Sequence, residues 1–451
     1  MRINHNISAQ LANVSLKKID NKLSASLERL STGYKINKAA DDSAGMAISN
    51  KMRTQIKALD QASRNAADGD SIIQTAEGAM GEIESILQRV RELAVQASND
   101  TLALEDRMTV QEEVDKMLDE VDRIAETTQF NGKPLLDGSS SRTTMSNTLS
   151  VQTISASTKV PRLENGYDVT VTAVAEKAEI TVDYTVPSKI RVNGYTFEIS
   201  AGETTDEIRE RMISMCDAMN LDVSQTGDSF TLTSRAAGSA QKISVRSANE
   251  TQDRTAQGKD AEIELGAQFT PADAYSYKAD GGIVTIVGNG GFEMQIDVAK
   301  ASAGDTGNIQ VEDAGLMVLQ IGANEHQTLE MDFAELTCQS LCLRDSDGVD
   351  LINACTQIGA SDMISALDDA INKVSQARSA LGAYQNRLEA TRDTLDVSSE
   401  NLTNSMSRIT DTDMAAEMTE YTQQSVLSQA ATSMLSQANN RPQQIMSLLQ
   451  S

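Results

Sequence analysis

The sequence predicts an α+β chain: a long antiparallel α-helical coiled-coil bundle formed by both chain termini, with a β-rich insert in the middle. Three observations predict it. Ile73, Ala76, Met80, Ile83, Leu87, Val90, Ala94 and Ala97 recur three and four apart without a fault, an a/d seam separated by Glu, Gln, Arg and Ser. A mate near the far end, running through Leu367, Ile371, Val374, Arg378, Leu381, Tyr384, Leu388, Thr391, Leu395, Ser398, Leu402, Ser405 and Ile409, keeps the alternation with polar interruptions. Between the two, from about 139 to 311, the period is lost and short β-type runs take over. One striped helix cannot cover its stripe alone, whereas three packed lengthwise can.

The elements follow in order. Ile3, Ile7, Leu11 and Val14 form a stripe that Ile19, Leu23, Leu27 and Leu30 continue after a shift of phase, a helix ending near Gly33. Residues 37–45 are small and polar and read as a turn or extended link, with Asp41, Asp42 and Ser43 suited to cap the next helix, over 46–96. Asn99-Asp100 breaks it. A shorter helix over 105–127 returns alongside with a seam of Val110, Val114, Met117, Val121 and Ile124, and Asn131-Gly132 and Pro134 stop the pattern.

In the insert, strands are expected over 167–174, 179–186, 190–199, 229–233, 242–245, 283–287 and 292–298. A helix over 205–219 has Ile208, Met212 and Met215 or Cys216 on one face. Residues 318–321 and 328–333 form a hairpin candidate around a turn at 322–325. The helical pattern then returns at 361 and holds to 440, with Pro442 a break or a fresh start.

Composition narrows the function classes. The 451 residues carry a formal charge of −26, which repels nucleic acid and makes a general affinity for anionic membranes unfavourable. The ends differ in sign: residues 1–53 hold nine basic against four acidic side chains, net +5, and residues 409–451 hold four acidic against one basic, net −3. Opposite signs favour their lying side by side. No run of eighteen apolar residues predicts insertion in a membrane, and residues 1–30 lack the continuous apolar core of a classical signal peptide. Aromatics are 3% and Trp is absent, so the cores must be mostly Leu, Ile, Val, Met and Ala.

Catalytic and metal chemistry find little footing. Cys216, Cys338, Cys342 and Cys355 are too scattered for a disulfide framework, and free buried or semi-buried thiols are expected. Neither His5 nor His326 has a neighbouring Glu placed to complete a zinc pair, and HExxH does not occur. Asp345-Ser346-Asp347-Gly348 lacks the register and closing Glu of a calcium loop, and Gly288-Asn289-Gly290-Gly291 lacks a nucleotide-binding context; both read as turns. No catalytic residue, metal or cofactor is expected, and the chain is expected not to be an enzyme.

Long specific stretches then carry a resemblance. MRINHNISAQLANVSLKKIDNKLSASLERLSTGYKINKAADDSAGMAISNKM at the start, ILQRVRELAVQASND over 86–100 and TTQFNGKPLLDG over 127–138 resemble bacterial flagellin. So do VLQIGANEHQTLEMDF over 318–333, LGAYQNRLEATRDTLDVSSENLTNSMSRITDTDMAAEM over 381–418 and the final QANNRPQQIMSLLQS. The likeness covers about 1–140 and 315–451, leaving 150–311 where that family is variable; VNGYTFEISAGETTDEIRERM over 192–212 looks somewhat like a strand–helix module of some flagellin inserts.

The resemblance implies a subunit of the swimming filament, exported unfolded through the flagellar type III apparatus and polymerised with copies of itself in the bacterial flagellum outside the cell. It implies an inner helix over 1–43 pairing with 406–451, an outer-core N-terminal half over 44–149, a variable β-rich surface domain over 150–311, and an outer-core C-terminal half over 312–405. Ile3, Ile7, Leu11, Leu23, Leu30, Met414, Met418, Leu427, Met434 and Leu435 would be the subunit-assembly residues. Implied partners are the flagellar export chaperone, the cap and junction proteins, and animal Toll-like receptor 5. The receptor contacts match Arg89 and Leu93, expected to face outward beside the seam, and Glu113. A hook–filament junction protein or another secreted helical adhesin is the alternative.

Overall fold

A computed structural model describes residues 6–157, 160–183, 189–200, 204–217, 219–226, 229–247, 254–270, 274–312, 315–345 and 347–450, with side chains followed to Arg441. Its helices are α1 (Ile7–Thr32), α2 (Ser43–Ala97), α3 (Leu104–Thr127), α4 (Thr205–Asp217), α5 (Gln357–Thr410) and α6 (Met414–Gln450). The chain divides into two compact units. A terminal unit comprises Met1–Ala66, Gln320–Gln327 and Ala390–Ser451, and a central unit comprises Ala67–Leu319 and Thr328–Glu389.

In the terminal unit, α1 begins at Asn6, whose Oδ1 accepts the Ala9 N–H, and ends at Gly33, whose φ of 75° is the left-handed stop that glycine adopts at little cost. The link to α2 is built by Asp41, whose Oδ2 accepts the backbone N–H groups of Asn37 and Lys38. Asp42 Oδ1 then accepts from Ala44 and Gly45, the expected cap. The turn between α5 and α6 meets this link: Lys35 N–H donates to the Thr410 carbonyl and Thr412 N–H to that of Gly33. Leu59 and Ala62 of α2 pack on Leu395 of α5, with Leu402 and Ala323 beside them.

Two expectations for the C-terminal helix are corrected. The run from 361 to 440 is two helices, because Asp413 Oδ1 accepts the N–H groups of Ala415 and Ala416 and so starts α6 afresh. Pro442 neither breaks nor starts a helix, since α6 continues through it to Gln450.

In the central unit the α2 seam from Ile73 to Ala97 is buried at every predicted position. Its partner on α5 is Ala360, Met363, Leu367, Ala370, Val374, Leu381 and Leu388, with Ala370 rather than Ile371 fully covered. On α3 the buried set is Val110, Val114, Leu118, Val121 and Ala125; Met117 and Ile124, expected inside, are only half-buried, a rotation of one residue. Arg91 joins α2 to Asp368 of α5 at 2.5 Å, and Arg378 of α5 joins Glu84 and Glu77 of α2 at 2.5 and 3.6 Å.

The insert holds two cores. One gathers Tyr167, Val169, Val171, Ile263, Phe269, Ile286, Phe292 and Met294 between two four-stranded sheets. In order these are Glu262–Leu265, Tyr167–Ala173, Thr306–Val311 and Thr144–Ser146, then Tyr275–Asp280, Ile283–Gly288, Phe292–Asp297 and Gln152–Ala156. The other packs Ile208, Met212 and Cys216 of α4 with a three-stranded sheet (Lys177–Asp183, Ser229–Ala237, Leu221–Thr226) and a four-stranded one (Arg254–Gln257, Lys242–Ser247, Lys189–Val192, Tyr195–Glu198). The expected single strand over 190–199 is a hairpin, turned by Asn193 and Gly194 at φ 46° and 93°. Strands at Leu221–Thr226, Arg254–Gln257, Glu262–Leu265, Tyr275–Asp280 and Thr306–Val311 add to those expected. The hairpin of Met317–Gln320 with Thr328–Met331 is present, as is a tight one of Gln129–Phe130 with Lys133–Pro134.

Candidate assembly surface

The α1–α6 pair is where sequence and structure disagree most usefully. The helices run antiparallel, with Asn6 at Ala438 (3.0 Å), Asp20 at Ser428 (3.0 Å) and Arg29 at Glu417 (3.7 Å), and their Cα atoms approach within 8 Å. The covered side of α1 is Ala9, Ala12, Leu16, Ile19, Leu23, Ser26 and Leu30; that of α6 is Glu417, Tyr421, Gln424, Ser428, Ala431, Leu435 and Ala438. Both sets keep the three-four spacing; on α6 the filling is mostly small or polar, whereas α1 mixes Ala9, Ala12 and Ser26 with Leu16, Ile19, Leu23 and Leu30. Small side chains let two backbones come close and bury little apolar area in doing so.

Many large apolar residues point away from the pair. Ile7 (56% exposed), Leu11 (64%) and Val14 (51%) lie on the side of α1 away from α6. Leu27, Met414, Met418, Val426, Leu427 and Met434 are also exposed, making nine large apolar side chains in solvent among the described residues of the two helices. Of the assembly residues, Ile7, Leu11, Met414, Met418, Leu427 and Met434 are thus free, whereas Leu23, Leu30 and Leu435 belong to the pair's own seam. Ile3 lies outside the described residues. Within the seam, Ser26 Oγ and Glu417 Oε1 are buried without a hydrogen-bond partner, which weakens the pair further.

On the central unit, Arg89 of α2 reaches Glu113 of α3 at 3.4 Å and Glu92 at 3.0 Å, and the side chains of all three are about half exposed or more. Both carboxylates hold the guanidinium charged, raising its pKa, the Glu92 hydrogen bond most. Leu93 does not face outward: it is 2% exposed. The reason is that three helices cover a wider arc of α2 than a two-stranded seam would, so the position beside Ala94 is enclosed, as Ile72 is beside Ile73.

The thiols of Cys216, Cys338 and Cys355 are buried and that of Cys342 half-buried, all free. Burial lifts Cys216 and Cys355 to about 12, which keeps them unreactive. Asp345 Oδ1 accepts the N–H groups of Asp347 and Val349, so that stretch is a turn. Among the described residues, no group of three or more His, Cys, Asp or Glu is placed to hold a metal ion, and no helix is long and apolar enough to cross a membrane.

Known proteins resemble this chain in sequence. Residues 3–141 match the family described as bacterial flagellin N-terminal helical region, and residues 364–449 match the bacterial flagellin C-terminal helical region. The chain is 36% identical to a flagellin of Clostridium tyrobutyricum, over 98% of this chain and 100% of that one. It is 32% identical to flagellin B of Vibrio cholerae over 100% and 99%, and 34% identical to polar flagellin C of Vibrio parahaemolyticus over 99% of each. Among solved structures, flagellar hook associated protein-3 of Legionella pneumophila is similar at 15% identity, over 80% of this chain and 98% of that one, with a TM-score of 0.32.

Proposed function

This chain belongs to the bacterial flagellin family, structural and non-enzymatic proteins of the flagellar filament, and on that premise we propose that it polymerises through the exposed apolar faces of α1 and α6. The observation that supports this reading is the set of large apolar residues turned away from the pair, Ile7, Leu11, Val14, Val426 and Met434 among them, while small and polar residues fill most of the α6 side of the seam. Burying one large apolar side chain is worth about 1.5–3 kcal/mol. Nine left in water by the isolated chain are a driving force that only other copies can realise. Contact between one patch and a different patch on the next copy does not close, so it propagates.

In this reading residues 1–43 and 406–451 form the inner layer, 44–149 and 312–405 the next, and 150–311 is displayed outward. The chain performs no catalysis and is exported unfolded through the type III apparatus, with a chaperone, cap and junction proteins as partners, to serve swimming motility outside the cell. The Arg89–Glu113 pair is the accessible part of a surface for Toll-like receptor 5, while buried Leu93 shapes that surface from beneath.

Leu11→Asp and Val426→Asp test the assembly claim. Each is expected to leave the melting temperature of the monomer unchanged and to abolish long filaments in electron micrographs after a precipitant step. Normal filaments from both variants would reject it. Long filaments from the wild-type chain also separate this reading from a junction protein, which stays short or monomeric.

A further inference from the structure

Asn6 holds two helices at once. Its Oδ1 accepts the Ala9 N–H at 3.1 Å and so caps α1, while its Nδ2 donates to the carbonyl oxygen of Ala438 in α6 at 3.0 Å. That carbonyl differs from its neighbours for a covalent reason. In an α-helix the oxygen of residue i accepts from the N–H of residue i+4. Four residues beyond Ala438 stands Pro442, which has no N–H to give. The helix nevertheless runs on to Gln450, and Pro442 is its single proline, so one interior carbonyl of α6 is left short of its helical donor.

We propose that Asn6 is the register lock of the terminal helix pair: its side-chain amide replaces the donor that Pro442 withholds, and so fixes which residue of α6 stands opposite the start of α1. At this end of the pair the seam itself specifies register weakly. Ala9, Ala12, Ala431 and Ala438 are alike there, and Leu435 is the one large side chain among them. A polar contact between an amide and a carbonyl that lacks its own partner discriminates more sharply, because any slip leaves both groups unpaired in a half-buried place. Pro442 thereby ceases to be a defect in α6 and becomes half of an address that Asn6 reads.

A double-mutant cycle tests the lock in assembled filaments of the full chain, read by hydrogen exchange of peptides covering 7–32 and 414–441. Asn6→Ser keeps a capping oxygen but has no amide and too little reach. It is expected to raise exchange in both peptides by about 3- to 10-fold. Pro442→Ala returns an N–H to Ala438, so in that background Asn6→Ser is expected to change exchange by less than about twofold. Asn6→Asp, which keeps the cap and removes the donor, should behave like Asn6→Ser. Equal effects of Asn6→Ser in the two backgrounds, or none in either, would overturn the lock. If Asn6→Ser filaments do not form, recovery of assembly by adding Pro442→Ala supports it and continued failure overturns it. The lock rests on the filament reading only for the state in which the pair is measured. Should the wild-type chain stay unassembled, that reading fails, and the same cycle on the helical melt of the free chain decides the lock.

Discussion

Two helix seams in this chain share one spacing and differ in what fills it. On α2 in the central unit, the three-four positions are Ile, Met, Leu, Val and Ala, fully buried against their own chain. On α1 and α6 the covered three-four positions include Ser26, Glu417, Gln424 and Ser428, and the bulk of the apolar side chains is left in water. The first pattern describes a helix whose partners come with it. The second describes a pair whose remaining partners are other molecules, so heptad spacing reports that a stripe is wanted and its filling reports by whom.

The largest expected break in that comparison is truncation at matched positions. Leu87→Ala, in the α2 seam, should cost about 3 kcal/mol in denaturant unfolding of the monomer. Leu11→Ala, 64% exposed on α1, should cost under about 0.5 kcal/mol there and still raise the protein concentration needed for polymerisation. Similar monomer losses at both sites would erase the distinction.

Ion pairs sharpen it next. Arg344 in the central unit reaches Asp119 (2.8 Å), Asp122 (3.0 Å) and Asp350 (2.6 Å) with its side chain only 17% exposed. Arg344→Met strands carboxylates in a partly enclosed place and should cost about 3 kcal/mol. Arg29→Met in the terminal pair removes one 3.7 Å contact to Glu417 and should cost about 1 kcal/mol or less, seen only in the filament.

Acid should act with opposite sign in the two regions, and by the least. Asp41 in the α1–α2 link is held below the ordinary Asp value of 3.8 by the Lys38 and Asn37 N–H groups. Its contribution is present above that value and is lost as pH falls through the lowered one. Asp115 and Glu335 in the central unit are raised by burial, so their contribution is full below the ordinary values of 3.8 and 4.5 and is lost as pH rises through the raised ones. Asp115→Asn should therefore stabilise the central unit slightly at pH 7 and not below its ordinary value, whereas Asp41→Asn should loosen amide protection at 37 and 38 at pH 7 and lose that effect in acid. Thermal melts and exchange across pH read both.

Much of this was legible in the residues. The α2 seam, the Asp42 cap, the Gly33 stop, the hairpin over 318–331 and the free thiols all declare themselves through local chemistry. The α1 stripe did not: Ile7, Leu11 and Val14 are apolar at helical spacing, and spacing is silent about whether the partner is the same chain or the next. Rotations of one residue, as at Leu118 in place of Met117, lie below what periodicity resolves when neighbouring positions are both apolar. Asn193-Gly194 and Asp411-Thr412-Asp413 were readable turn and cap signals hidden inside longer favourable runs. Asn6 was beyond reach, since its worth depends on a carbonyl 432 residues away.

The central claim is that α1 and α6 are completed by other copies of the chain. Hydrogen exchange on monomer and filament side by side tests it most directly, with peptides from 73–97 of α2 as the internal reference. The account predicts slow exchange for the reference in both states, fast exchange for α1 and α6 in the monomer, and strong protection of both once filaments form. Equal protection of α1 and α6 before and after polymerisation would contradict it.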